Sequence, residues 1–154
     1  MIEFRIVPIE EADLSGVVQL ELDCGLKSGG IERFRRLLPD RNTILLGAFD
    51  LRSGSSLAGF FCGQVVVDEL QIDNVAVRAE SRRKGGGVLL VESGIEAARR
   101  RGALTAVLEV RSSNIAAQKL YERCGFSVAG TRVNYYTTPM EDALTMTSRF
   151  GAKT

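Results

Sequence analysis

The feature that most constrains this sequence is an apolar strand that runs through a basic, glycine-rich turn into a strongly patterned helix. The strand pattern ends at Val77, and the turn reads Arg82-Arg83-Lys84-Gly85-Gly86-Gly87. The first turn of a helix presents unpaired backbone N–H groups and a partial positive charge, so it suits a phosphate. Glycines let the backbone approach an anion closely, and the three cations add charge. The turn therefore predicts a site for a phosphorylated ligand.

This turn does not match the commonest phosphate-binding motifs. A P-loop requires Gly-Lys-Ser or Gly-Lys-Thr at its end, which the sequence lacks, and the dinucleotide fingerprint fails because Leu90 replaces its third glycine. The pattern that remains is Arg82-x-x-Gly85-x-Gly87. It resembles the R/Q-x-x-G-x-G/A signature of the GCN5-related N-acetyltransferases (GNAT), whose turn holds the pyrophosphate of acetyl-CoA. On the turn alone, a glycine turn that only caps a surface helix stays an alternative.

Composition narrows the classes of protein that fit. The chain has 154 residues, which suits a single domain over 1–154, and 45% hydrophobic with 25% charged residues is ordinary for a globular protein. A net charge of +1 argues against general nucleic-acid or membrane-surface binding. No apolar run approaches the roughly 18 residues of a membrane span, and the first residues lack a charged-then-apolar leader. We expect a cytoplasmic protein.

The counts of cysteine and histidine limit the chemistry. Three widely spaced cysteines without a C-x-x-C pair predict neither a disulfide framework nor a metal site. There is no histidine, the commonest general base. Any acid–base chemistry must therefore use Glu, Asp, Tyr, Lys or a water molecule.

Strand and helix patterns alternate along the chain. The periodicities predict helices over 10–22, 31–38, 87–101 and 113–123, and strands over 2–7, 43–49, 57–67, 70–77, 103–110, 126–133 and 143–150. Ser112 or Ser113 is the expected N-cap of the last helix. The run Arg99-Arg100-Arg101 is read as cations at a helix end, with a nucleic-acid patch as the alternative. The pattern predicts a single α/β domain with a mixed sheet.

Three residues near the chain's most apolar strand are candidates for chemistry, each with a structural alternative. Glu109 stands at the strand end, where ligands of open sheets bind, and a desolvated carboxylate there suits a general base. Otherwise it is a solvated glutamate paired with Arg111. Tyr121 is either a proton donor or a packing aromatic. Asn114 is either a ligand contact or a helix cap.

These three residues lie in a longer segment that resembles a known family. The stretch 108–126 reads LEVRSSNIAAQKLYERCGF. It closely resembles the L-E-V-R-x-S-N-x-x-A-x-x-L-Y-x-x-x-G-F segment of the RimI-type N-α-acetyltransferases, which acetylate the N-terminal alanine of ribosomal protein S18. Asn74-Val75-Ala76-Val77 is similar to their N-I-A-V strand, and 134–143 to their N-Y-Y…E-D-A ending. The match extends over more than half of the chain.

The resemblance implies a fold and a role for each matching residue. The fold is a mixed, mostly antiparallel sheet, flanked by helices, whose two central parallel strands splay to admit acetyl-CoA. Glu109 is the implied general base and Tyr121 the implied general acid for the coenzyme A thiolate. The residues implied in cofactor binding are Val75, Ala76, Val77, Arg82, Arg83, Lys84, Gly85, Gly86, Gly87, Val88 and Asn114.

The sequence also departs from that subgroup. Where its members carry an aromatic Pro-Trp stretch after the first helix, this chain has residues 23–30, DCGLKSGG, and no tryptophan anywhere. Three hypotheses for function follow. The first is acetyl transfer to a protein N-terminal α-amine, the second is transfer to a small-molecule amine, and the third is a non-catalytic acetyl-CoA-binding module.

Overall fold

One mixed sheet forms the centre of the computed structural model, which describes residues 3–26 and 28–150. Its strand order is β1-β2-β3-β4-β5-β7-β6, and every described neighbouring pair is antiparallel except β4–β5. The strands are β1 (Phe4–Pro8), β2 (Thr43–Asp50), β3 (Ser56–Val66), β4 (Glu69–Val77), β5 (Thr105–Arg111), β6 (Ser127–Thr137) and β7 (Met140–Arg149). The helices are α1 (Leu14–Asp23), α2 (Gly30–Leu37), α3 (Gly86–Arg100) and α4 (Ile115–Arg123). The predicted fold class is confirmed.

Two apolar cores cover the two faces of this sheet. Strand side chains alternate between faces, so Phe60 packs with α1 and α2 while its neighbour Phe61 packs beneath α3. Helix α3 approaches the sheet closely at Gly94, where a Cβ atom would lie 2.4 Å from the Phe61 ring. Side chains of β3 take part in both cores, and this fixes the position of the neighbouring strand β4.

The central parallel pair separates after a short contact. Glu69–Gln71 of β4 are in register with Thr105–Val107 of β5, and the described pairing stops there. Asp73 is an extra residue in β4, because Cys62 faces Asn74 while Gly63 faces Ile72. Such a bulge bends and twists a strand. The remainder of β4 stays with β3 and the remainder of β5 with β7, which leaves a wedge-shaped gap between the strands.

Several local predictions differ from the structure. The hairpin of β6 and β7 is longer than the predicted strands at 126–133 and 143–150, because β6 is an exposed edge strand that lacks an alternating pattern. The first helix starts with a 3-10 turn over Glu11–Asp13. Asn114 caps α4, whereas Ser112 or Ser113 was expected to do so. No helix among the described residues is long and apolar enough to cross a membrane.

Candidate active site

The glycine turn opens α3 as the sequence predicted. Gly85 is the N-cap with a φ of 89°, and Arg83 also has a positive φ of 64°. A Cβ atom at Gly85 would meet nothing within 4 Å, so the space in front of this helix start is open. The first N–H groups of the helix, at Gly86, Gly87 and Val88, have no partner within the helix and remain available to an anion.

The three cations of the turn are placed differently. The Arg82 Nε donates to the carbonyl of Val77 at 2.9 Å, and its guanidinium lies 3.5 Å from the Cys24 sulfur. Arg82 therefore ties the turn to the end of β4. Arg83 and Lys84 are exposed and have no ion-pair partner among the described residues. Their charge is left for a ligand.

The residues predicted to contact the pantetheine line one side of the gap. Ala76 is buried in the core beneath α1, while Val75 and Val77 pack toward α3. The side chains thus point away from the gap, and the backbone of this stretch faces it. Gly87 lets the start of α3 lie close to α4, because a Cβ atom there would lie 3.2 Å from the Leu120 side chain, while Val77 would be in ordinary contact at 3.8 Å.

Glu109 lies on the other side of the gap. Its neighbours Leu108 and Val110 are buried beneath α3, so the Glu109 side chain points to the opposite sheet face. The Thr145 hydroxyl donates to its Oε2 atom at 3.4 Å, and the Arg132 Nε lies 3.5 Å from the same oxygen. The side chain is 24% exposed. The alternative interpretation, in which Glu109 pairs with Arg111, was wrong on the partner, because Arg111 pairs with Glu141.

Tyr121 is buried on α4, with 7% of its surface exposed. Its ring packs edge-to-face with Phe126 at 5.8 Å between centroids, which confirms the packing alternative. Burial raises the pKa of its hydroxyl, and Cys124 and Tyr136 act in the same direction. A phenol that stays protonated retains a proton that it could donate.

Asn114 has the structural role that the sequence left open. Its side-chain oxygen accepts from the Ala117 N–H at 3.1 Å and caps α4. The residue is exposed, so a contact with a ligand stays a prediction.

Sequence reasoning missed a polar cluster of Arg111 and Glu141 beside the start of α4. Glu141 accepts from the Ser113 N–H at 2.6 Å and from the Ser112 hydroxyl at 3.2 Å, and its Oε1 lies 3.1 Å from Arg111. These hydrogen bonds, led by Ser113, lower the pKa of Glu141 to about 2. The only signal in the sequence was the E-D-A ending.

Arg111 also holds the turn between β6 and β7. Its guanidinium donates to the carbonyls of Thr138 and Pro139 at 3.1 and 3.0 Å and lies 4.2 Å from the centroid of the Tyr136 ring. The β6–β7 turn is thereby fixed to the strand end that carries Glu109.

The divergent segment 23–30 borders the same sheet face. Glu21, at the end of α1, is fully buried, and the Asn74 amide lies 3.4 Å from its carboxylate. Burial raises the pKa of Glu21, while the hydroxyl of Ser28 and the charge of Arg33 oppose that rise. Lys27 lies outside the described residues.

A separate open groove of about 710 Å³ lies between β2, residues 38–41 and α3. None of the predicted site residues lines it. The groove is therefore not part of the candidate active site.

Comparison with known proteins assigns the class of this site. Residues 14–126 match the model of the acetyltransferase (GNAT) family, and the chain belongs to that family. It is thus an N-acetyltransferase whose family uses acetyl-CoA, as the sequence predicted.

Individual relatives indicate which kind of N-acetyltransferase the chain resembles. The chain is 44% identical over 100 residues to the [ribosomal protein bS18]-alanine N-acetyltransferase of Escherichia coli K12, which covers 64% of this chain and 68% of the relative. The crystal structure of the ribosomal-protein-S18-alanine N-acetyltransferase from Escherichia coli superposes with a TM-score of 0.85 at 32% identity, over 98% of this chain and 96% of that one. The structure of yncA from Salmonella typhimurium with its cofactor acetyl-CoA has a TM-score of 0.84 at 16% identity, over 99% of this chain and 97% of that one. At this identity the likeness shows a shared fold alone.

Proposed function

We propose that this enzyme transfers the acetyl group of acetyl-CoA to the N-terminal α-amine of a protein, with alanine as the first residue. The observation that carries the proposal is the position of Glu109 beside the gap between β4 and β5, on the sheet face opposite α3. The acceptor class is supported by the 44% identity to relatives named for alanine N-acetylation of ribosomal protein bS18.

The residues around the gap fit acetyl-CoA. The open helix start at Gly85 and the unpaired N–H groups of Gly86, Gly87 and Val88 would hold the pyrophosphate, with Arg83 and Lys84 adding charge. The backbone of Val75, Ala76 and Val77 would hold the pantetheine arm. Acetyl-CoA supplies a thioester that an amine can attack.

Glu109 and Tyr121 then divide the proton transfers. Glu109 accepts the proton of the acceptor ammonium, directly or through a water molecule. The free amine forms the new N–C bond while the C–S bond breaks, and Tyr121 donates its proton to the departing thiolate. The extra proton on the acylated nitrogen then returns to the Tyr121 phenolate, directly or through water, which leaves a neutral amide and free coenzyme A. An α-amine has an unperturbed pKa of about 8, so the base has a modest task at neutral pH.

A small-molecule amine is a second candidate acceptor. The segment 23–30 contains three glycines and no aromatic residue, where the RimI-type subgroup has its Pro-Trp stretch. A different acceptor pocket would leave the proton transfers of Glu109 and Tyr121 unchanged.

Mass spectrometry of acceptors incubated with acetyl-CoA tests the proposal. The panel contains a free peptide that starts with alanine, the same peptide with a blocked N-terminus and an internal lysine, and simple primary amines. We expect acetylation of the free N-terminus alone. Preferential acetylation of the lysine or of a small amine would overturn the acceptor class, and binding of acetyl-CoA without any product would favour a non-catalytic module.

A further inference from the structure

Arg132 places a positive charge against the carboxylate that we propose as the base. Its Nε lies 3.5 Å from the Glu109 Oε2 atom. The two residues are on strands that do not touch, because β7 lies between β5 and β6. Arg132 is in register with Ala143 of β7, and Glu109 with Thr145. The arginine therefore reaches across a whole strand to meet the glutamate.

The backbone after Arg132 helps to fix this reach. The register of β6 shifts between Arg132 and Tyr136, and Asn134 within the shift has a φ of 54°. The Asn134 N–H donates to the Asp142 side chain at 2.8 Å, which holds the irregularity in place. Tyr135 thereby lies beside the arginine, with the guanidinium 5.3 Å from its ring centroid.

The other charged side chains on this sheet face either pair with residues other than Glu109 or lie farther from it. Arg111 pairs with Glu141 at 3.1 Å, and Asp73 of β4 pairs with Arg33 at 3.5 Å. Arg149 of β7 lies farther along the face, opposite Thr105. Tyr136 is near Glu109, and burial raises the pKa of its phenol, so it is neutral at physiological pH. Arg132 is thus the counter-charge of Glu109 among the described residues.

We propose that Arg132 is a positioning residue whose ion pair with Glu109 holds that carboxylate oriented toward the acceptor. This inference rests on the proposed role of Glu109 as base. A base can take a proton only when its oxygen lies within hydrogen-bond reach of the acceptor nitrogen, and the ion pair restricts the directions that the carboxylate can adopt. Once Glu109 accepts the proton, its attraction to Arg132 weakens. The Arg132 side chain is 59% exposed, so solvent can then solvate it.

A double-mutant cycle on kcat for an alanine-starting peptide tests the inference. In Arg132→Gln we expect kcat to fall about 2- to 5-fold while KM stays within about twofold, because an exposed ion pair makes a modest contribution. Arg132→Lys should restore most of the loss. Arg149→Gln removes an arginine from the same face and should keep the wild-type kcat.

Two outcomes contradict the inference directly. The first is an unchanged kcat in Arg132→Gln. The second is a loss of the same size in the Glu109→Gln background, as expected if the arginine only supports the strand or binds substrate.

A second pair of variants separates this inference from the proposed function. Glu109→Gln should lower kcat by about 100-fold or more, and adding Arg132→Gln in that background should change little. If Glu109→Gln keeps the wild-type kcat, the base assignment fails and the role of Arg132 fails with it. If Glu109→Gln behaves as a lost base while Arg132→Gln alone keeps the wild-type kcat, only the role of Arg132 is wrong.

Discussion

Burial gives Tyr121 two properties at once. Its ring packs on Phe126 in the core beneath α3, and the same burial raises the pKa of its hydroxyl. Burial keeps the phenol protonated, so a proton is present to donate, and it also makes the phenol a weaker acid. The packing role that the sequence suggested is therefore compatible with a role as acid.

Replacement of Tyr121 by phenylalanine separates these roles. Tyr121→Phe keeps the ring and its packing, so the free energy of unfolding should change by only about 1 kcal/mol. The turnover number should fall by about 10- to 1000-fold, because the leaving thiolate loses its proton donor. Steady-state kinetics and urea unfolding measure the two effects. Turnover equal to that of the wild type would leave Tyr121 with its packing role alone.

Gly85 is a residue where backbone conformation and ligand access coincide. Its φ of 89° favours glycine, and the space beside it is open. A valine there would both strain the backbone and fill the approach to the helix start. Gly102, just past the other end of α3, has a φ of 92° and equally open surroundings.

Because the two glycines have similar φ angles and open surroundings, Gly102 provides a matched control for the cofactor site. Gly85→Val should weaken acetyl-CoA binding by at least tenfold, whereas Gly102→Val should bind normally. Both variants should lose a similar free energy of unfolding, about 1–3 kcal/mol, from backbone strain. Isothermal titration calorimetry measures the affinities. Equal affinities in the two variants would remove the turn from the cofactor site.

At the level of elements, the sequence predicted the alternating core strands and patterned helices well, because their periodicity records which face is buried. It predicted the β6–β7 hairpin poorly. β6 is exposed along almost its whole length, and its irregular register after Arg132 removes any period of two. The contacts that hold this hairpin, from Arg111 to Glu141 and to the turn carbonyls, join residues about 30 positions apart, which no local pattern records.

Glu141 makes the attachment of that hairpin dependent on pH. Its folded pKa of about 2 lies below the unfolded value of about 4.3. The depressed pKa therefore contributes stability above about pH 5, and this contribution is lost as the pH falls toward 2. Glu141→Gln should be less stable than the wild type at pH 7, and the two free energies of unfolding should converge between pH 5 and pH 2.

Urea unfolding at pH 7, 5 and 3 checks this convergence. Glu122→Gln is the matched control, since Glu122 is exposed on α4 and has no ion-pair or hydrogen-bond partner through its side chain among the described residues. It should be close to the wild type at each pH. A stability difference for Glu141→Gln that does not depend on pH would show that the carboxylate charge is not what holds the hairpin.

On the scale of the whole molecule, the sheet consists of two halves joined at a short parallel contact. The described pairing between β4 and β5 covers only Glu69–Gln71 and Thr105–Val107. Hydrophobic periodicity did not reveal this separation, because it marks buried faces and does not record where a strand loses its neighbour. The splayed pair was expected from the family resemblance alone. The roles of the residues on its two sides stay predictions.

A ligand that fills the gap should couple the two halves. Acetyl-CoA at about 100 times its Kd should raise the free energy of unfolding by about 2.7 kcal/mol, because it binds only the folded chain. Hydrogen exchange followed by mass spectrometry locates the effect. Exchange should slow in peptides that cover 72–78, 83–90 and 108–112, and should change least in β1, at the far edge of the sheet. NAD at the same concentration, and acetyl-CoA with Gly85→Val, should give little protection. Protection confined to the turn at 83–90 would show that the cofactor does not enter between the strands.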